Sequence, residues 1–542
     1  MSKIYFPQYK KGRKGFSLHK GLTILDHIKE AGIEINSECG GKGTCGRCVV
    51  RIEKGKENLG KLTEPEKKFL FPAGERLACQ ARIIKDTANV IVLIKEFGKY
   101  EILKTVTEKK IPLSPYLRQK GEKVFYQGKI LDDYHGKIFG LAIDVGTTTV
   151  VFNLVNLENG NILATIAKTN PQISYGNDVI SRIEYTMVNK EKNEYFPREE
   201  REIRLKEVQE RVINGINESL KEIESRRGET VCDYVYEAVV VGNPTMRNIF
   251  FGLDVTSLGI KPYESTQKEP VIKGAKEIGL RINPGGKVYG APLIGGHAGA
   301  DAVADVLASG MDENEGVSMT IDIGTNGEVI LGNSQRLISA SCAAGGAYEG
   351  ATISSGLGAI QGAIKDIMIR DGRVVYHTIG DTHPKGICGS GLIDLLAELL
   401  KHNIMSKNAK ITEDFYVTDG IKLTQSDIYQ LITAKAGLRT DQDLLLKYYG
   451  IEAKGLERVY LSGGFGNFIN TTNAIKIGLI PEIEEIKVIK IGNGALEGAR
   501  EMLISQESRK KAEEIAKRIE HIKPNEMEKD FAYLVAENMY FK

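Results

Sequence analysis

The chain has 542 residues, of which 42% are hydrophobic and 27% are charged, and its formal net charge is only +2. This length allows several domains with full hydrophobic cores, and the composition excludes a low-complexity or disordered chain. The longest apolar stretches are far shorter than a membrane span, so the sequence predicts a multi-domain globular protein without a membrane-spanning segment.

Four cysteines near the N-terminus follow the spacing C-x5-C-x2-C-x30-C, and they are Cys39, Cys45, Cys48 and Cys79. The first three share a glycine-rich loop whose backbone N–H groups can turn inward toward sulfur, which predicts an iron–sulfur cluster. Structural zinc is the alternative, although zinc sites usually pair two short cysteine knuckles. Disulfides are disfavoured because we find no secretory signal and the other cysteines are scattered, so we expect a reducing, cytoplasmic location.

The predicted elements around this loop follow a recognisable order. An extended segment and a turn at 11–15 precede a helical run at 23–31, the cysteine loop and a strand at 49–52. On these features residues 1–95 resemble the 2Fe-2S ferredoxin family, in the version with five residues between the first two cysteines. The resemblance implies a β-grasp domain in which the four cysteines hold a 2Fe-2S cluster.

The charge is distributed unevenly between this region and the remainder. Residues 1–95 hold 19 Lys and Arg against 10 Asp and Glu, whereas the remaining residues hold 54 against 61. Nucleic-acid binding is one explanation of a basic module, but we find no arginine cluster interleaved with aromatic residues and no binding motif. We favour an acidic protein partner over a merely solvated face, because opposite fields speed the encounter of redox proteins.

Residues 96–136 are charged and contain Pro112 and Pro115, a composition that predicts a linker. Such a linker fits either a mobile tether for electron delivery or an ordered connector. We place two further domains after it, a first lobe at 137–315 and a second lobe with a C-terminal helical tail at 316–542.

These two lobes are predicted from an internal repeat. Ile143-Asp-Val-Gly-Thr-Thr returns as Ile321-Asp-Ile-Gly-Thr-Asn, and each copy opens a β-hairpin pattern. Later elements repeat as well, namely a strand–turn–helix at 238–246 and 458–466 and a small-residue helix starting at 295 and 492. The repeat predicts two related lobes that face a cleft.

The repeat is similar to the superfamily of acetate and sugar kinases, heat-shock chaperone ATPases and actin, which implies a duplicated ribonuclease H-like ATPase. The resemblance implies that the two hairpins embrace the phosphates of ATP and that the late Gly-Gly loop receives the adenosine. A turn glycine lets backbone N–H groups reach phosphate, and a carboxylate at the end of each first strand can hold hydrated Mg²⁺, a role we assign to Asp144 and Asp322. The predicted nucleotide-binding residues are Gly146, Thr147, Thr148, Gly324, Thr325, Asn326, Gly463, Gly464, Phe465 and Lys435.

Several candidate residues have a second interpretation. Asp301 is assigned by resemblance to positioning the attacking water, but it fits equally as a helix cap, and His297 is a weaker candidate. Lys435 resembles a residue of the adenine-facing helix, or it is an exposed salt-bridge lysine. Cys342 and Cys388 suggest a second cluster shared across a dimer, as in activators of 2-hydroxyacyl-CoA dehydratases, although we favour small buried packing residues.

Together the two halves resemble the reductive activators of corrinoid proteins over almost the whole chain, with matches such as Gly346-Ala-Tyr-Glu-Gly and Leu461-Ser-Gly-Gly-Phe-Gly. The resemblance implies an ATP-dependent enzyme that returns Co(II) to Co(I) on a corrinoid protein or methyltransferase. It also implies a low-potential electron donor and a homodimer formed through the ATPase domain. Two different functions would fit the same motifs, an ATP-coupled activator of another low-potential enzyme and a redox-sensing small-molecule kinase.

Overall fold

The computed structural model describes residues 2–9, 12–33, 35, 43, 48–67, 74–94, 111–176, 178–189, 194–350, 352–464 and 468–541. The chain divides into two compact units. The first unit comprises Met1–Glu101, Ile173–Asn177 and Gly346–Leu431, and the second comprises Ile102–Gln172, Asp178–Gly345 and Ile432–Lys542. Within the described ranges, the helices lack the combination of length and apolar character that a bilayer span requires.

The N-terminal part of the first unit is a small mixed β-sheet with one longer helix. Its elements are β1 Lys3–Tyr5, β2 Phe16–Ser17, α1 Ile24–Glu30, β3 Val49–Lys54, α2 Glu64–Lys67, β4 Glu75–Leu77 and β5 Val90–Ile94. The strand order is β2-β1-β5-β3-β4, with β1 parallel to β5 and the other neighbours antiparallel. Thr23 and Asp26 form a capping box that begins α1, whose apolar side chains enter the core. This arrangement is the predicted β-grasp fold.

The predicted linker contains ordered structure from residue 111 onward. It forms a three-stranded antiparallel sheet of β6 Leu117–Lys120, β7 Lys123–Tyr126 and β8 Lys129–Asp133. Val124 and Tyr126 are buried in the core of the second unit, and Asp132 accepts a hydrogen bond from Asn283 Nδ2 at 2.8 Å. This part of the segment is therefore an ordered connector.

The first lobe contains a six-stranded sheet and five α-helices within its described residues. Its elements are β9 Phe139–Val145, β10 Thr149–Asn156, β11 Ile162–Thr169, α3 Val179–Met187, β12 Val188–Asn189, β13 Glu194–Tyr195, α4 Arg198–Arg227, β14 Val235–Val241, α5 Pro244–Phe250, β15 Val271–Gly274, α6 Ala275–Ile278, β16 Lys287–Gly290 and α7 Ala300–Ser309. The sheet order is β11-β10-β9-β14-β16-β15, while β12 and β13 form a separate pair.

The rest of the chain supplies a second six-stranded sheet and two smaller ones. Its elements are β17 Ser318–Ile323, β18 Gly327–Gly332, β19 Leu337–Cys342, β20 Ala363–Arg370, β21 Arg373–Thr378, β22 Gly386–Ile387, α8 Gly389–Lys401, β23 Phe415–Thr418, β24 Ile421–Leu423, α9 Gln425–Tyr449, β25 Arg458–Ser462, α10 Thr471–Lys476, β26 Val488–Gly492, α11 Gly494–Ile504, α12 Gln506–Arg518, β27 Ile519–His521, α13 Pro524–Met527 and α14 Phe531–Asn538. The large sheet has the order β26-β25-β17-β18-β19-β27.

The two large sheets share the topology of five of their six strands, and the sixth strand differs, since β15 lies beside β16 and β27 beside β19. In each, the first three strands form an antiparallel meander, β9-β10-β11 in one and β17-β18-β19 in the other. The next two strands are added in parallel beside the first strand, β14 and β16 in one sheet and β25 and β26 in the other. This correspondence confirms the predicted duplication.

Close helix packing and a buried arginine contribute to the core of the second unit. Helices α7 and α11 pack so closely that a Cβ added at Gly498 would lie 2.3 Å from the carbonyl oxygen of Ala304. The Arg509 guanidinium in α12 lies 2.8 Å from a carboxylate oxygen of Glu237 in β14, and both side chains are at most 2% exposed. The Arg509 guanidinium also lies 4.4 Å from the centre of the Tyr289 ring.

The segment Gly346–Leu431, which we predicted within the second lobe, belongs to the first unit. It forms a three-stranded sheet of order β21-β20-β22 against which α8 packs, and the pair β23-β24. Gln8 of the β-grasp domain connects to this segment, because its Nε2 donates to the carbonyl oxygens of both Ile94 and Lys385 at 3.1 Å.

Candidate functional site

Two of the four predicted cluster ligands lie at the same end of neighbouring strands. Cys48 directly precedes β3 and Cys79 follows β4, and the pairing of Val49 with Leu77 brings these ends together. Ala78 N donates to the carbonyl oxygen of Cys48 at 2.7 Å, and both cysteines are buried. Cys39 and Cys45 lie outside the described residues.

The surroundings of these sulfurs fit an iron–sulfur cluster. Gly43 of the cysteine loop has φ +74°, and a Cβ there would lie 2.8 Å from Cβ of Pro65 and 2.9 Å from Cδ of Gln80. The loop therefore requires glycine at this position. Gln80 Nε2 also lies 3.6 Å from Sγ of Cys79, and N–H groups directed at sulfur tune cluster potentials.

The two predicted phosphate hairpins meet in the second unit. We call residues 146–148, between β9 and β10, the first phosphate loop, and residues 324–326, between β17 and β18, the second phosphate loop. The hydroxyl oxygens of Thr148 and Thr325 are 2.6 Å apart. A Cβ at Gly146 would lie 2.7 Å from the carbonyl oxygen of Thr149, so the first loop needs its glycine. The two loops therefore face each other at the turns of their hairpins.

Carboxyl groups gather at the ends of the strands that lead into these loops. Asp144 lies near the end of β9, and its Oδ2 accepts a hydrogen bond from Asn493 Nδ2 at 2.9 Å. Asp322 lies in β17, where Gly463 approaches so closely that a Cβ there would lie 3.0 Å from Asp322 Oδ1. Burial, and then the charge of Asp144, raise the pKa of Asp301 to about 7. Asp322, Asp301 and Asp144 also all raise the pKa of the buried Asp305, so the three predicted catalytic carboxyls belong to one electrostatically connected group.

Sequence reasoning missed two further members of this group, Asp305 and Glu328. Asp305 Oδ1 accepts from Ser462 Oγ at 2.7 Å, whereas Asp305 Oδ2 and Glu328 Oε1 are buried without a hydrogen-bond partner in the described part of the chain. Burial raises the pKa of both carboxyls well above the ordinary value, and Asp322 adds to the shift. The signal was present, because Asp305 is one helical turn after Asp301 and Glu328 follows the second phosphate loop by two residues.

This group of carboxyls suits a cation that arrives together with phosphate. Among the described residues, no three His, Cys, Asp or Glu side chains enclose a metal ion by themselves. Mg²⁺ in proteins usually keeps several waters and is bound by one or two carboxylates together with substrate phosphates. A set of carboxyl side chains that leaves part of the coordination to water and phosphate therefore fits Mg-ATP. Burial is the main cause of the raised pKa values in this group, and the neighbouring carboxyls add to it, as expected for acidic side chains placed together away from water.

The four residues predicted to bind adenosine differ in their surroundings. Gly463 has φ +118° after β25 and contacts Asp322, Gly464 faces open space, and Phe465 lies outside the described residues. Lys435 is 2% exposed; its Nζ donates to the carbonyl oxygen of Tyr540 at 2.9 Å and lies 4.5 Å from the centre of the Phe541 ring. Lys435 is therefore buried, which contradicts its interpretation as an exposed residue.

Asp301 and His297 lie at the N-terminal end of α7. Gly299, not Asp301, is the N-cap residue of this helix, and Asp301 Oδ1 instead accepts from the N–H of Ala302 at 2.9 Å. His297 lies in the loop before α7 with its ring centre 6.1 Å from that of Tyr263, and burial with nearby Lys523 lowers its pKa. His297 therefore remains neutral near pH 7.

The two C-terminal cysteines suit packing better than metal binding. Cys388 is buried at the start of α8, with Sγ 3.3 Å from the carbonyl oxygen of Ile364, and burial raises its pKa. Burial and the neighbouring carboxyl of Asp441 raise the pKa of Cys342 well above the usual range. Both thiols are therefore neutral at physiological pH, which fits their interpretation as packing residues.

Three family models match consecutive regions of the chain. They are a 2Fe-2S iron-sulfur cluster binding domain at residues 10–83, the RACo middle region at 139–314, and the C-terminal ASKHA domain of RACo at 316–542. The corrinoid activation enzyme RamQ of Eubacterium limosum is 30% identical over 550 residues, which cover 89% of this chain and 90% of RamQ.

Two further relatives support the same assignment. The [Co(II) methylated amine-specific corrinoid protein] reductase of Methanosarcina barkeri is 26% identical over 416 residues, covering 70% of this chain and 73% of that protein. The solved structure of a reductive activator for corrinoid, iron-sulfur protein has a TM-score of 0.72 and 29% identity, and the match covers 100% of this chain and 98% of that one.

The fold and its sites define a two-part redox ATPase, in which a 2Fe-2S ferredoxin domain is joined to a duplicated domain of the actin and sugar kinase type. Its cofactors are the 2Fe-2S cluster and Mg-ATP. The chain belongs to the RACo family of reductive corrinoid activators.

Proposed function

We propose that this chain reductively activates a corrinoid protein, using ATP to pass one electron to Co(II) and regenerate Co(I). The observation that carries the proposal is the extent of the match to RamQ, which covers 89% of this chain and 90% of RamQ, beside the match of residues 10–83 to a 2Fe-2S cluster binding domain. A protein that kept only the kinase-like fold would share the lobes without the cysteine loop.

Energetics explain why an ATPase accompanies the cluster. A ferredoxin-type cluster supplies one electron at about −400 mV, and each ~59 mV of uphill one-electron transfer lowers the equilibrium constant about tenfold. Transfer to an acceptor a few tenths of a volt more negative would therefore stall. Nucleotide binding can offset this cost only by favouring a conformation in which the acceptor is easier to reduce.

The residues of the cleft are suited to such a conformational response. Thr148 and Thr325 belong to different lobes, and their hydroxyls touch at 2.6 Å. A triphosphate seated between the two phosphate loops would exchange this contact for contacts with phosphate oxygens. The positions of the two lobes then depend on whether nucleotide is bound, and Asp144 and Asp322 would orient the hydrated Mg²⁺.

The charge distribution of the chain suggests the kind of electron donor that it meets. The electron donor would be a low-potential redox protein with an acidic surface, because the ferredoxin region is basic. We also propose a homodimer formed through the ATPase domain and a cytoplasmic location.

The test mixes the purified protein, a chemical reductant, Mg-ATP and a corrinoid protein in the Co(II) state, and follows the visible spectrum. We expect Co(I) to appear only with ATP. Formation of Co(I) without ATP, or no Co(I) with a competent corrinoid partner, would contradict the proposal. ATP consumption stimulated by a small molecule in the absence of any electron acceptor would favour a small-molecule kinase.

A further inference from the structure

Buried donors form hydrogen bonds with the backbone carbonyl oxygens of the first phosphate loop. Asn170 Nδ2 donates to the carbonyl oxygen of Gly146 at 2.8 Å, and Asn170 N donates to that of Thr148 at 2.7 Å. Between them, Arg182 Nη2 donates to the carbonyl oxygen of Thr147 at 2.6 Å. Three consecutive carbonyl groups of the loop therefore point toward one buried layer.

These donors form a single cluster rather than isolated contacts. Asn170 Nδ2 and Arg182 Nη1 lie 3.1 and 3.4 Å from the same oxygen, Oε1 of Gln172, and Arg182 Nη1 lies 2.9 Å from Sδ of Met246. Asn170, Gln172 and Arg182 are each 0% exposed. A buried network of this kind fixes the direction of each donor, because every alternative geometry would leave a polar group unsatisfied.

The direction of the carbonyls sets the direction of the N–H groups. In a trans peptide the C=O bond and the following N–H bond point in opposite directions. The N–H groups of Thr147, Thr148 and Thr149 therefore point away from the buried layer. The Thr148 hydroxyl contacts Thr325 of the second phosphate loop, so the first phosphate loop borders the cleft between the two hairpins. Successive N–H groups turned to one side form a concavity that binds anions.

We propose that Arg182 is a positioning residue of the nucleotide site, which orients the peptide groups of the first phosphate loop so that their N–H groups donate to phosphate oxygens. This inference rests on the proposed function of the cleft as an ATP site. A planar guanidinium can hold several acceptors at fixed angles, which a lysine ammonium cannot. Burial lowers the pKa of Arg182 to about 9, so the side chain is still a cation at neutral pH and polarises the peptide that it holds.

The chain offers a matched control in Arg247. This arginine is also 0% exposed, burial lowers its pKa to about 10, and its guanidinium likewise donates to backbone carbonyls, those of Gln267 and Glu269. Its carbonyl partners lie in a connecting segment and not in a phosphate loop. Replacing either arginine removes a buried guanidinium from the first lobe, but of these two arginines Arg182 is the one that donates to a carbonyl of the first phosphate loop.

The experiment compares Arg182→Lys, Arg182→Met and Arg247→Lys in the full holoprotein, with Mg-ADP and adenosine as calorimetric ligands. We expect Arg182→Met to raise the Kd of Mg-ADP by about tenfold or more, the effect of one lost hydrogen bond to a charged group. The Kd of Mg-ADP for Arg182→Lys should lie between those of the wild type and Arg182→Met. The Kd of adenosine should change by less than about twofold in both variants, because adenosine carries no phosphate. Arg247→Lys should lower the melting temperature without changing either Kd.

Each outcome decides between explanations. Equal Mg-ADP affinity in the wild type and Arg182→Lys would overturn the positioning role, as would parallel losses for Mg-ADP and adenosine. If Arg182→Met does not fold, Asn170→Ser, which removes the donor to Gly146, should weaken Mg-ADP binding in the same way. A wild type that binds no Mg-ADP would instead contradict the proposed function.

Discussion

Asp301→Asn is expected to stabilise the nucleotide-free protein while it removes ATP hydrolysis. Burial and Asp144 raise the pKa of Asp301 from 3.8 to about 7. A carboxyl whose pKa rises on folding binds its proton more tightly in the folded state, so the free energy of unfolding falls as pH rises from about 4 to about 7. At about 1.4 kcal/mol per pKa unit, the penalty is roughly 2 kcal/mol at pH 5.5 and about 4 kcal/mol at pH 8.

The asparagine amide lacks this titration but keeps an acceptor for the N–H of Ala302. The variant should therefore melt above the wild type, and the gap should widen by about 2 kcal/mol between pH 5.5 and pH 8, or a few degrees in melting temperature. Scanning calorimetry is the suitable assay, because the chain contains no tryptophan for intrinsic fluorescence. Hydrolysis should fall about a hundredfold or more if Asp301 positions the water.

Glu264 supplies a control of opposite sign. Although burial opposes the shift, hydrogen bonds from Lys268, the N–H of Gly296 and Lys523 lower the pKa of Glu264 to about 2. Glu264→Gln should therefore destabilise the protein at pH 7, with the difference shrinking as pH falls below about 4.5. A melting difference for Asp301→Asn that is the same at both pH values would refute the assignment of a raised pKa to this carboxyl.

Three further variants test the two sites and the core. Cys48→Ser should abolish the visible spectrum of the cluster without changing Mg-ADP affinity, as spectroscopy and calorimetry can determine. Asp322→Ala should do the reverse, lowering Mg-dependent nucleotide binding while the cluster spectrum persists. Arg509→Met should lower the free energy of unfolding by about 3–5 kcal/mol, because it leaves the Glu237 carboxylate buried without its cation, and the double variant with Glu237→Gln should recover much of the loss in calorimetry.

For each of these variants, one result would contradict the role assigned to the residue. A cluster spectrum retained in Cys48→Ser would mean that another group serves as ligand. Unchanged nucleotide affinity in Asp322→Ala would place the Mg²⁺ elsewhere. Additive losses for Arg509 and Glu237 would show that the two side chains do not act as a pair.

The sequence predicted the features that depend on local pattern. The helix capped by Thr23 and the β-hairpin turns at Gly146 and Gly324 each depend on a few adjacent residues, and the structure contains all three. The internal repeat predicted two related sheets, because each copy carries the same order of strands. These signals need no knowledge of distant contacts.

Features set by tertiary contacts were not predictable in the same way. Arg182 lies 35 residues after Thr147 and Asn170 lies 24 residues after Gly146, and nothing in the sequence around either donor indicates a phosphate site. The burial of Lys435 depends on Tyr540 and Phe541 at the far C-terminus. Lysine is usually exposed, and its burial here depends on contacts with residues that are distant in the sequence.

The close crossing of α7 and α11 at Ala304 and Gly498 bears on how the ATPase lobes can move. Two helices that touch through backbone lack interlocking side-chain ridges at the crossing, so one can slide along the other by small steps. We expect relative lobe motion to be a shear rather than the bending of a loop. Gly498→Ala should push α7 and α11 apart at this crossing. Small-angle scattering with and without nucleotide should then show a smaller change in the radius of gyration than in the wild type.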